Sequence, residues 1–245
     1  MFIDNLILEV TRKCNMKCRH CLRGSAQDLS MSKQTIQNAL KGVSRITTLQ
    51  FTGGEPILGL YQIRTILETI RENQIDVGWF WLKSNGIKYS AALINHLADF
   101  QEYVDEPDMS AMEFSLDQFH LKTNLSLNKY LVQQEVNPWI QAPKSQNLRY
   151  LIKEGRAKRF LDRVSYRDPF FYSGWPIAED YLKDQYSTIA YDFPVYIAAN
   201  GNIICGCDLS FKHIDKYSFG NVNKQSLQSI IEAHIVDNPE KIFPK

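Results

Sequence analysis

Short runs of β-branched and aromatic residues alternate with helical patterns along this chain, and that alternation constrains the fold more than any other feature. Helical patterns fit 32–43, 61–72 and 90–100, where apolar residues recur at helical spacing. Strands separated by helices pair in parallel through right-handed crossovers. The alternation therefore predicts an α/β fold, a partial (β/α)6 barrel. Its six predicted strands are 6–10, 46–51, 77–82, 112–116, 148–152 and 195–199.

The pattern changes after the sixth predicted strand. Asn200-Gly201 is a strong two-residue turn that predicts a β-hairpin, and a helical pattern follows at 226–236. Aromatic residues crowd an insert from about 166 to 194, which we expect to cap the open side of the barrel and to shield a substrate. We therefore predict a barrel core over 1–200 and a short hairpin and helix extension over 201–245.

Composition and charge exclude several classes of protein. There are 28 Lys and Arg residues against 27 Asp and Glu, a net charge of +1, which argues against a nucleic-acid binder with a broad basic face. No apolar run approaches the roughly 20 residues that cross a bilayer. The first residues lack the basic start and apolar stretch of a signal peptide. We expect a cytoplasmic protein that binds neither nucleic acid nor membrane.

The five cysteines are placed unlike a disulfide framework. Cys14, Cys18 and Cys21 follow the first predicted strand with the spacing C-x3-C-x2-C. Clustered cysteines in a reducing compartment indicate a metal site or redox chemistry. Three thiolates on one loop can hold three corners of an iron–sulfur cube. The alternative is a structural zinc site with His20 as the fourth ligand.

In its context, this triplet resembles the signature of the radical S-adenosylmethionine (SAM) superfamily. The resemblance implies that Cys14, Cys18 and Cys21 ligate a [4Fe–4S] cluster whose fourth iron chelates the amino and carboxylate groups of SAM. In that family, reductive cleavage of SAM gives a 5′-deoxyadenosyl radical that abstracts hydrogen from the substrate. The family has an aromatic residue before the third cysteine, near the adenine, and His20 occupies that position here.

A second motif follows the second predicted strand. Gly53-Gly54-Glu55-Pro56 matches the family's GGEP motif, which binds the methionine amino group. Two glycines let the backbone approach a ligand closely, and Glu55 can accept hydrogen bonds from an ammonium group. Weaker matches follow the next three predicted strands. They imply further SAM contacts from Ser84, Asn85, Ser115, Asp117 and Arg156.

The C-terminal segment looks like the beginning of a SPASM-type extension, which carries additional clusters in many radical SAM maturases. Only Cys205 and Cys207 are present in it, and two thiolates cannot hold an ordinary four-cysteine cluster. We interpret the segment as a truncated extension without a cluster. The alternatives are a cluster completed by Asp208, His213 or another chain, and a redox or hydrogen-donor role for one thiol.

The resemblance implies a radical SAM enzyme that acts on a peptide or protein side chain. Its rivals are an activating enzyme for a glycyl-radical partner and a non-catalytic metal-binding regulatory module. Electrons must reach the cluster from outside, and flavodoxins and ferredoxins are typically acidic. We therefore expect such a donor to dock on the cations around the triplet. These are Arg12, Lys13, Lys17, Arg19 and Arg23.

Overall fold

A computed structural model describes residues 1–115, 126–141, 150–159, 165–176, 188–189 and 193–245. The strands are β1 Phe2–Thr11, β2 Arg45–Gly53, β3 Asp76–Ser84, β4 Ala111–Phe114, β5 Tyr150–Ile152, β6 Ser165–Arg167, β7 Phe171–Tyr172, β8 Thr188–Ile189, β9 Val195–Ile197, β10 Asn202–Cys205, β11 Gly220–Asn221 and β12 Lys241–Ile242. The α-helices are α1 Lys33–Leu40, α2 Leu60–Glu72, α3 Ala91–Gln101, α4 Leu127–Leu131, α5 Phe211–Lys216 and α6 Leu227–Glu232.

The main sheet has eight strands, seven of them in the order β11-β10-β9-β1-β2-β3-β4, with β8 also paired to β1. Strands β1 to β4 are parallel neighbours in chain order. Parallel pairing brings their carboxyl ends to one edge of the sheet. The predicted α/β fold with a parallel sheet is confirmed.

Serine caps and apolar faces place the first helices of the chain. The Ser32 hydroxyl accepts the Thr35 N–H at 3.0 Å, and the Ser90 hydroxyl accepts the Leu93 N–H at 3.2 Å, so serine caps start α1 and α3. The apolar faces of α1, α2 and α3 join alternate residues of β1, among them Leu6 and Leu8, in the main core. The predicted helices at 32–43, 61–72 and 90–100 are confirmed.

The sequence predicts six parallel strands that pair in chain order, and the observed order differs after β4. β5 pairs with β6 in a separate two-stranded sheet, and β9 pairs in parallel with β1. Beside β4, the Met112 N–H donates to the Trp139 carbonyl and the Gln141 N–H donates to the Met112 carbonyl. Because this segment occupies the hydrogen-bonding groups of β4, the described part of β5 pairs elsewhere. The partial barrel itself stays a prediction.

The predicted hairpin at Asn200-Gly201 is confirmed. β9 and β10 pair antiparallel, and Gly201 at the turn has a φ of +88°, which favours glycine. The division after residue 200 stays a prediction, since the hairpin continues the main sheet. The predicted helix 226–236 is shorter than expected. α6 ends at Glu232 because the following chain extends alongside Trp175, whose carbonyl accepts the Val236 N–H at 2.9 Å.

Phe171 and Trp175 of the predicted insert contribute to the core, whereas Tyr166 is exposed. Phe171 stacks on Tyr217, and the fully buried Trp175 contacts Phe219 edge to face. Tyr181, Tyr186 and Tyr191 lie outside the described residues, so the shielding role stays a prediction. Within the part of the chain that the structure describes, no helix has the length and apolar character needed to cross a membrane.

A buried charge network joins β1 to α5. Arg12, 1% exposed, donates through Nε to Glu9 at 2.6 Å and through both terminal nitrogens to Asp215 at 2.8 and 2.9 Å. Glu9 also accepts the Tyr196 hydroxyl at 2.6 Å and the Ala199 N–H at 3.0 Å. Burial alone would raise the pKa of Asp215, but the hydrogen bonds and charge of Arg12 lower it overall. The network fixes the C-terminal segment against the end of β1.

Removing Glu9 should destabilise the whole fold. Glu9→Ala leaves a buried guanidinium with one carboxylate fewer, and losing one partner of a buried pair costs about 3–5 kcal/mol. Denaturant unfolding should therefore show a decrease of this size in the free energy of unfolding. Glu102→Ala, at an exposed position, is the control and should change it by less than about 0.5 kcal/mol. Equal effects in both variants would contradict the assigned role of the network.

Candidate functional site

The three cysteines of the triplet lie on the loop that follows β1. All three are half-buried and free of disulfides. The Cys21 N–H donates to the Cys18 carbonyl at 3.3 Å, and the Cys14 sulfur accepts the Met16 N–H at 3.4 Å. We call residues 13–24 the cysteine loop. The loop presents three thiols from one short segment, as a site-differentiated cluster requires.

Two glycines allow the end of β2 to pack directly against the start of the cysteine loop. A Cβ on Gly53 would lie 2.1 Å from the Thr11 carbonyl oxygen, and one on Gly54 would lie 2.3 Å from that of Lys13. In this arrangement the Gly54 N–H donates to Thr11 and the Glu55 N–H donates to Lys13, both at 2.8 Å. The sequence predicts that these glycines allow close approach of a ligand. The structure shows that they also permit approach of the backbone.

Glu55 is the polar centre at the ends of β2 and β3. Its side chain is 1% exposed. One carboxylate oxygen accepts the Ser84 hydroxyl at 2.8 Å and the Ile57 N–H at 3.2 Å, and the other accepts the Asn85 N–H at 2.8 Å. The predicted site residues Glu55, Ser84 and Asn85 therefore form one connected group.

Asn15 extends this group to the cysteine loop and was missed by the sequence analysis. The Asn85 side-chain amide donates to the Asn15 side-chain oxygen at 2.8 Å. The contact therefore links the turn after β3 to the residue that follows Cys14. The only signal for Asn15 in the sequence is that position, next to a predicted ligand.

Cys14 lies in an environment that disfavours a thiolate in the absence of a cation. Burial raises the pKa of the Cys14 thiol, and the charges of Glu55, Cys18 and Cys21 raise it further, against the hydrogen bond from Met16. Metal ligation requires the thiolate, and a bound cation offsets this repulsion. Three thiolates so close together therefore require a bound metal to be stable.

The donor set fits an iron–sulfur cluster. Among the described residues, no group of three or more His, Cys, Asp or Glu side chains is arranged to hold a single metal ion. The ligands of a cubane bind different irons and need not converge on one point. Cys14, Cys18 and Cys21 are the residues that would hold it.

The remaining predicted site residues do not form a single group among the described residues. His20 is half-buried on the cysteine loop. The Ser115 N–H donates to the Ser84 carbonyl at 2.8 Å, so Ser115 lies beside the Glu55 group. Asp117 lies outside the described residues. The Arg156 N–H donates to the Cys21 carbonyl at 2.9 Å, and Arg156 also lines a cavity together with C-terminal residues.

The two C-terminal cysteines occupy different environments. Cys205 is fully buried on β10, and burial raises the pKa of its thiol. Cys207 is exposed. Gly206 between them has a φ of +129°, which interrupts the alternation expected for a strand. The interpretation as a segment without a cluster stays a prediction.

The structure corrects the predicted basic surface around the triplet. Arg12 is buried in its pairing with Glu9 and Asp215. Arg23 is half-buried, donates to the Leu209 carbonyl at 2.7 Å and lies over the Tyr196 ring. Both arginines therefore hold the C-terminal segment in place. The exposed cations of the cysteine loop are Lys13, Lys17 and Arg19.

A family model described as a 4Fe-4S single cluster domain matches residues 7–132, more than half of the chain. The chain belongs to the 4Fe-4S single cluster domain family. The matched region contains the cysteine loop and the Glu55 group, and the predicted [4Fe–4S] cluster is confirmed. The zinc alternative is set aside.

Two solved structures resemble this chain over most of its length. The structure of native anSMEcpe with bound AdoMet and Cp18Cys peptide is 14% identical in sequence and has a TM-score of 0.50. The match covers 95% of this chain and 80% of the anSMEcpe chain. The structure of Streptococcus suis SuiB bound to precursor peptide SuiA is 12% identical in sequence and has a TM-score of 0.45. The match covers 94% of this chain and 64% of the SuiB chain.

An uncharacterized protein of Methanocaldococcus jannaschii is 33% identical over 74 residues, or 29% of this chain. The match spans 26% of that relative's length. At 14% identity, the likeness to the anSMEcpe structure shows the fold alone, an α/β fold with a parallel sheet.

Adding a methyl group at Gly54 should separate the GGEP turn from the cysteine loop of this 4Fe-4S domain. Gly54→Ala brings a Cβ within 2.3 Å of the Lys13 carbonyl oxygen, which only a backbone shift can relieve. We expect the free energy of unfolding to fall by about 1–3 kcal/mol and the iron retained after reconstitution to fall with it.

Gly42→Ala is the matched control for this substitution. Nothing lies within 4 Å of a Cβ at Gly42, whose φ is +77°. This variant should lose about 1–2 kcal/mol to backbone strain but retain full iron. Full iron retention in Gly54→Ala as well would show that the close approach does not shape the cluster site.

Proposed function

We propose that this chain is a radical SAM enzyme that cleaves SAM reductively and modifies a peptide or protein side chain. When bound, the cluster and SAM supply a radical able to remove a hydrogen atom from the substrate. The observation that carries the proposal is the buried Glu55 carboxylate, held at the ends of two parallel strands and joined through Asn85 and Asn15 to the loop that carries Cys14.

Different residues of this chain would contact different parts of SAM. A buried carboxylate can bind an ammonium group through charge-assisted hydrogen bonds, and Glu55 supplies one. Ser84 and Asn85 orient that carboxylate through their donated hydrogen bonds. We assign Gly53 and Gly54 to the backbone beside SAM, His20 to the adenine side, and Ser115 and Asp117 to the remaining polar contacts.

The substrate class is supported by likeness of fold. The solved anSMEcpe structure contains a peptide as well as AdoMet, and its fold covers nearly all of this chain. The hairpin after β9 and the helices α5 and α6 also agree with a shortened SPASM-like extension. We therefore propose a peptide or protein side chain as the substrate.

The proposal is tested by SAM cleavage and SAM binding in anaerobically reconstituted protein. The wild-type chain should hold about four irons and release 5′-deoxyadenosine when reduced. Glu55→Gln should weaken SAM binding at least about ten-fold, because a charge-assisted contact contributes about 1.5–3 kcal/mol. Its iron content should stay at the wild-type level.

Two controls make this experiment specific. Replacing Cys14, Cys18 and Cys21 together by Ala should abolish both iron and cleavage. Glu102→Gln, at an exposed position, should change neither. Unchanged SAM affinity in Glu55→Gln would remove Glu55 from the site, and wild-type protein with full iron but no cleavage would refute the proposed function.

An acidic flavodoxin or ferredoxin is the proposed electron donor. Lys13, Lys17 and Arg19 are the exposed cations of the cysteine loop, and they lie next to the cluster ligands in sequence. Lys13 pairs with Asp28 at 2.7 Å, but both side chains are exposed and such pairs contribute little. These cations can therefore attract an acidic surface to the loop that holds the cluster.

Reversing two of these charges should slow reduction by a protein donor. Lys13→Glu with Lys17→Glu should slow flavodoxin-driven reduction at low salt by about ten-fold or more, because steering depends on complementary charge. Rising ionic strength should shrink the difference from wild type. Dithionite, which needs no docking surface, should reduce both proteins at similar rates.

Lys41→Glu with Lys224→Glu changes the net charge equally at exposed positions elsewhere and is the control. If flavodoxin reduced the Lys13 and Lys17 variant as fast as this control at low salt, the donor would dock elsewhere.

A further inference from the structure

A cavity of about 630 Å³ borders the cysteine loop without including the Glu55 group. Its walls come from three parts of the chain, namely the end of the cysteine loop, the turn after β5, and α5 with the residue before it. The ionisable residues that line it are Arg23, Glu154, Arg156, Lys158, Lys212 and His213. Four of these six are Lys or Arg, and one is a carboxylate.

The carboxylate of the cavity already has partners. Glu154 is 3% exposed, and one of its oxygens lies 2.7 Å from the His213 ring nitrogen. Its other oxygen accepts the Gly155 N–H at 3.0 Å. Glu154 therefore ties the turn after β5 to α5, and its single negative charge is outnumbered by the four cations that line the cavity.

The cations of the cavity lack carboxylate partners within the described residues. Arg156, Lys158 and Lys212 form no ion pair there, and Arg23 donates to the Leu209 carbonyl. Four cations against one carboxylate leave the lining of the cavity positively charged among the described residues. A concave site with this charge attracts anions.

The geometry favours an extended carboxylate-bearing segment. A volume of about 630 Å³ falls within the range of about 300–1,000 Å³ for ligand sites. A concave site of this size admits a short chain segment. Arg156 can hold a carboxylate through two parallel hydrogen bonds, while Lys158 and Lys212 add point charges.

We propose that this cavity binds an acidic segment of the peptide substrate. The identification of that peptide as a substrate rests on the proposed function, whereas its binding needs only the folded chain. The Arg156 N–H bonds the Cys21 carbonyl, and a Cβ on Gly155 would lie 2.2 Å from the Leu22 carbonyl oxygen. A segment bound here is therefore held next to the loop that carries the third cluster ligand.

The test measures binding of a fluorescein-labelled tetraglutamate peptide to the full chain by fluorescence anisotropy. Lys158→Glu with Lys212→Glu should weaken binding at least about ten-fold relative to wild type, because both reversals place like charges against the ligand. Lys41→Glu with Lys224→Glu makes the same change in net charge outside the cavity and should alter binding by less than about two-fold.

Several outcomes would overturn the inference. These are equal affinity of the cavity variant and its control, equal affinity of the wild type for a tetralysine peptide, and complete displacement of tetraglutamate by equimolar inorganic phosphate. The last result would mean that the cavity is a site for small anions only. Retained secondary structure by circular dichroism, checked for each variant, excludes misfolding as the cause of lost binding.

SAM cleavage, measured in the same preparations, separates this inference from the proposed function. Cleavage without tetraglutamate binding would overturn the cavity assignment alone. Tetraglutamate binding that depends on Lys158 and Lys212 in a chain that cannot cleave SAM would overturn the proposed function and retain an acidic-peptide site.

Discussion

The structure around the cysteines depends on one buried cation. Arg12 stands at the point where β1 passes into the cysteine loop, and its guanidinium is almost completely removed from water. A charge in that position is tolerated only when it is paired and hydrogen-bonded. Glu9 and Asp215 provide the pairing, and Glu9 also binds Tyr196 and the Ala199 N–H. The requirement to pair Arg12 therefore fixes the C-terminal segment onto the first strand.

The cysteine loop is then held by backbone contacts from separate parts of the chain. The GGEP turn packs against Thr11 and Lys13 at a distance that only glycine permits. The turn after β5 approaches from another part of the chain, where the Arg156 N–H bonds the Cys21 carbonyl. These contacts use main-chain atoms, so they leave the three thiols available as ligands. A loop held by main-chain contacts is suited to a cluster whose position must be defined.

Two polar regions meet at this loop and differ in charge. The Glu55 group is acidic and buried, and it suits the ammonium group of SAM. The cavity beside α5 is basic, and its one carboxylate among the described residues lies 2.7 Å from the His213 ring nitrogen. Arg156 connects this cavity to the cysteine loop, since its backbone N–H bonds the Cys21 carbonyl. Under the proposed function, the acidic region would receive a cationic cofactor and the basic region an anionic substrate segment.

The sequence by itself determined the first half of the parallel sheet, its serine-capped helices, the hairpin at Asn200-Gly201 and the [4Fe–4S] domain. These features are encoded locally, in periodicity, caps, turn residues and cysteine spacing. Only the tertiary structure decided that Arg12 and Arg23 hold the C-terminal segment instead of facing a partner, that Asn15 joins the Glu55 group, and that β9 lies beside β1. Burial and pairing of a charged side chain depend on residues far away in sequence, as Asp215 is from Arg12, and no local pattern records them.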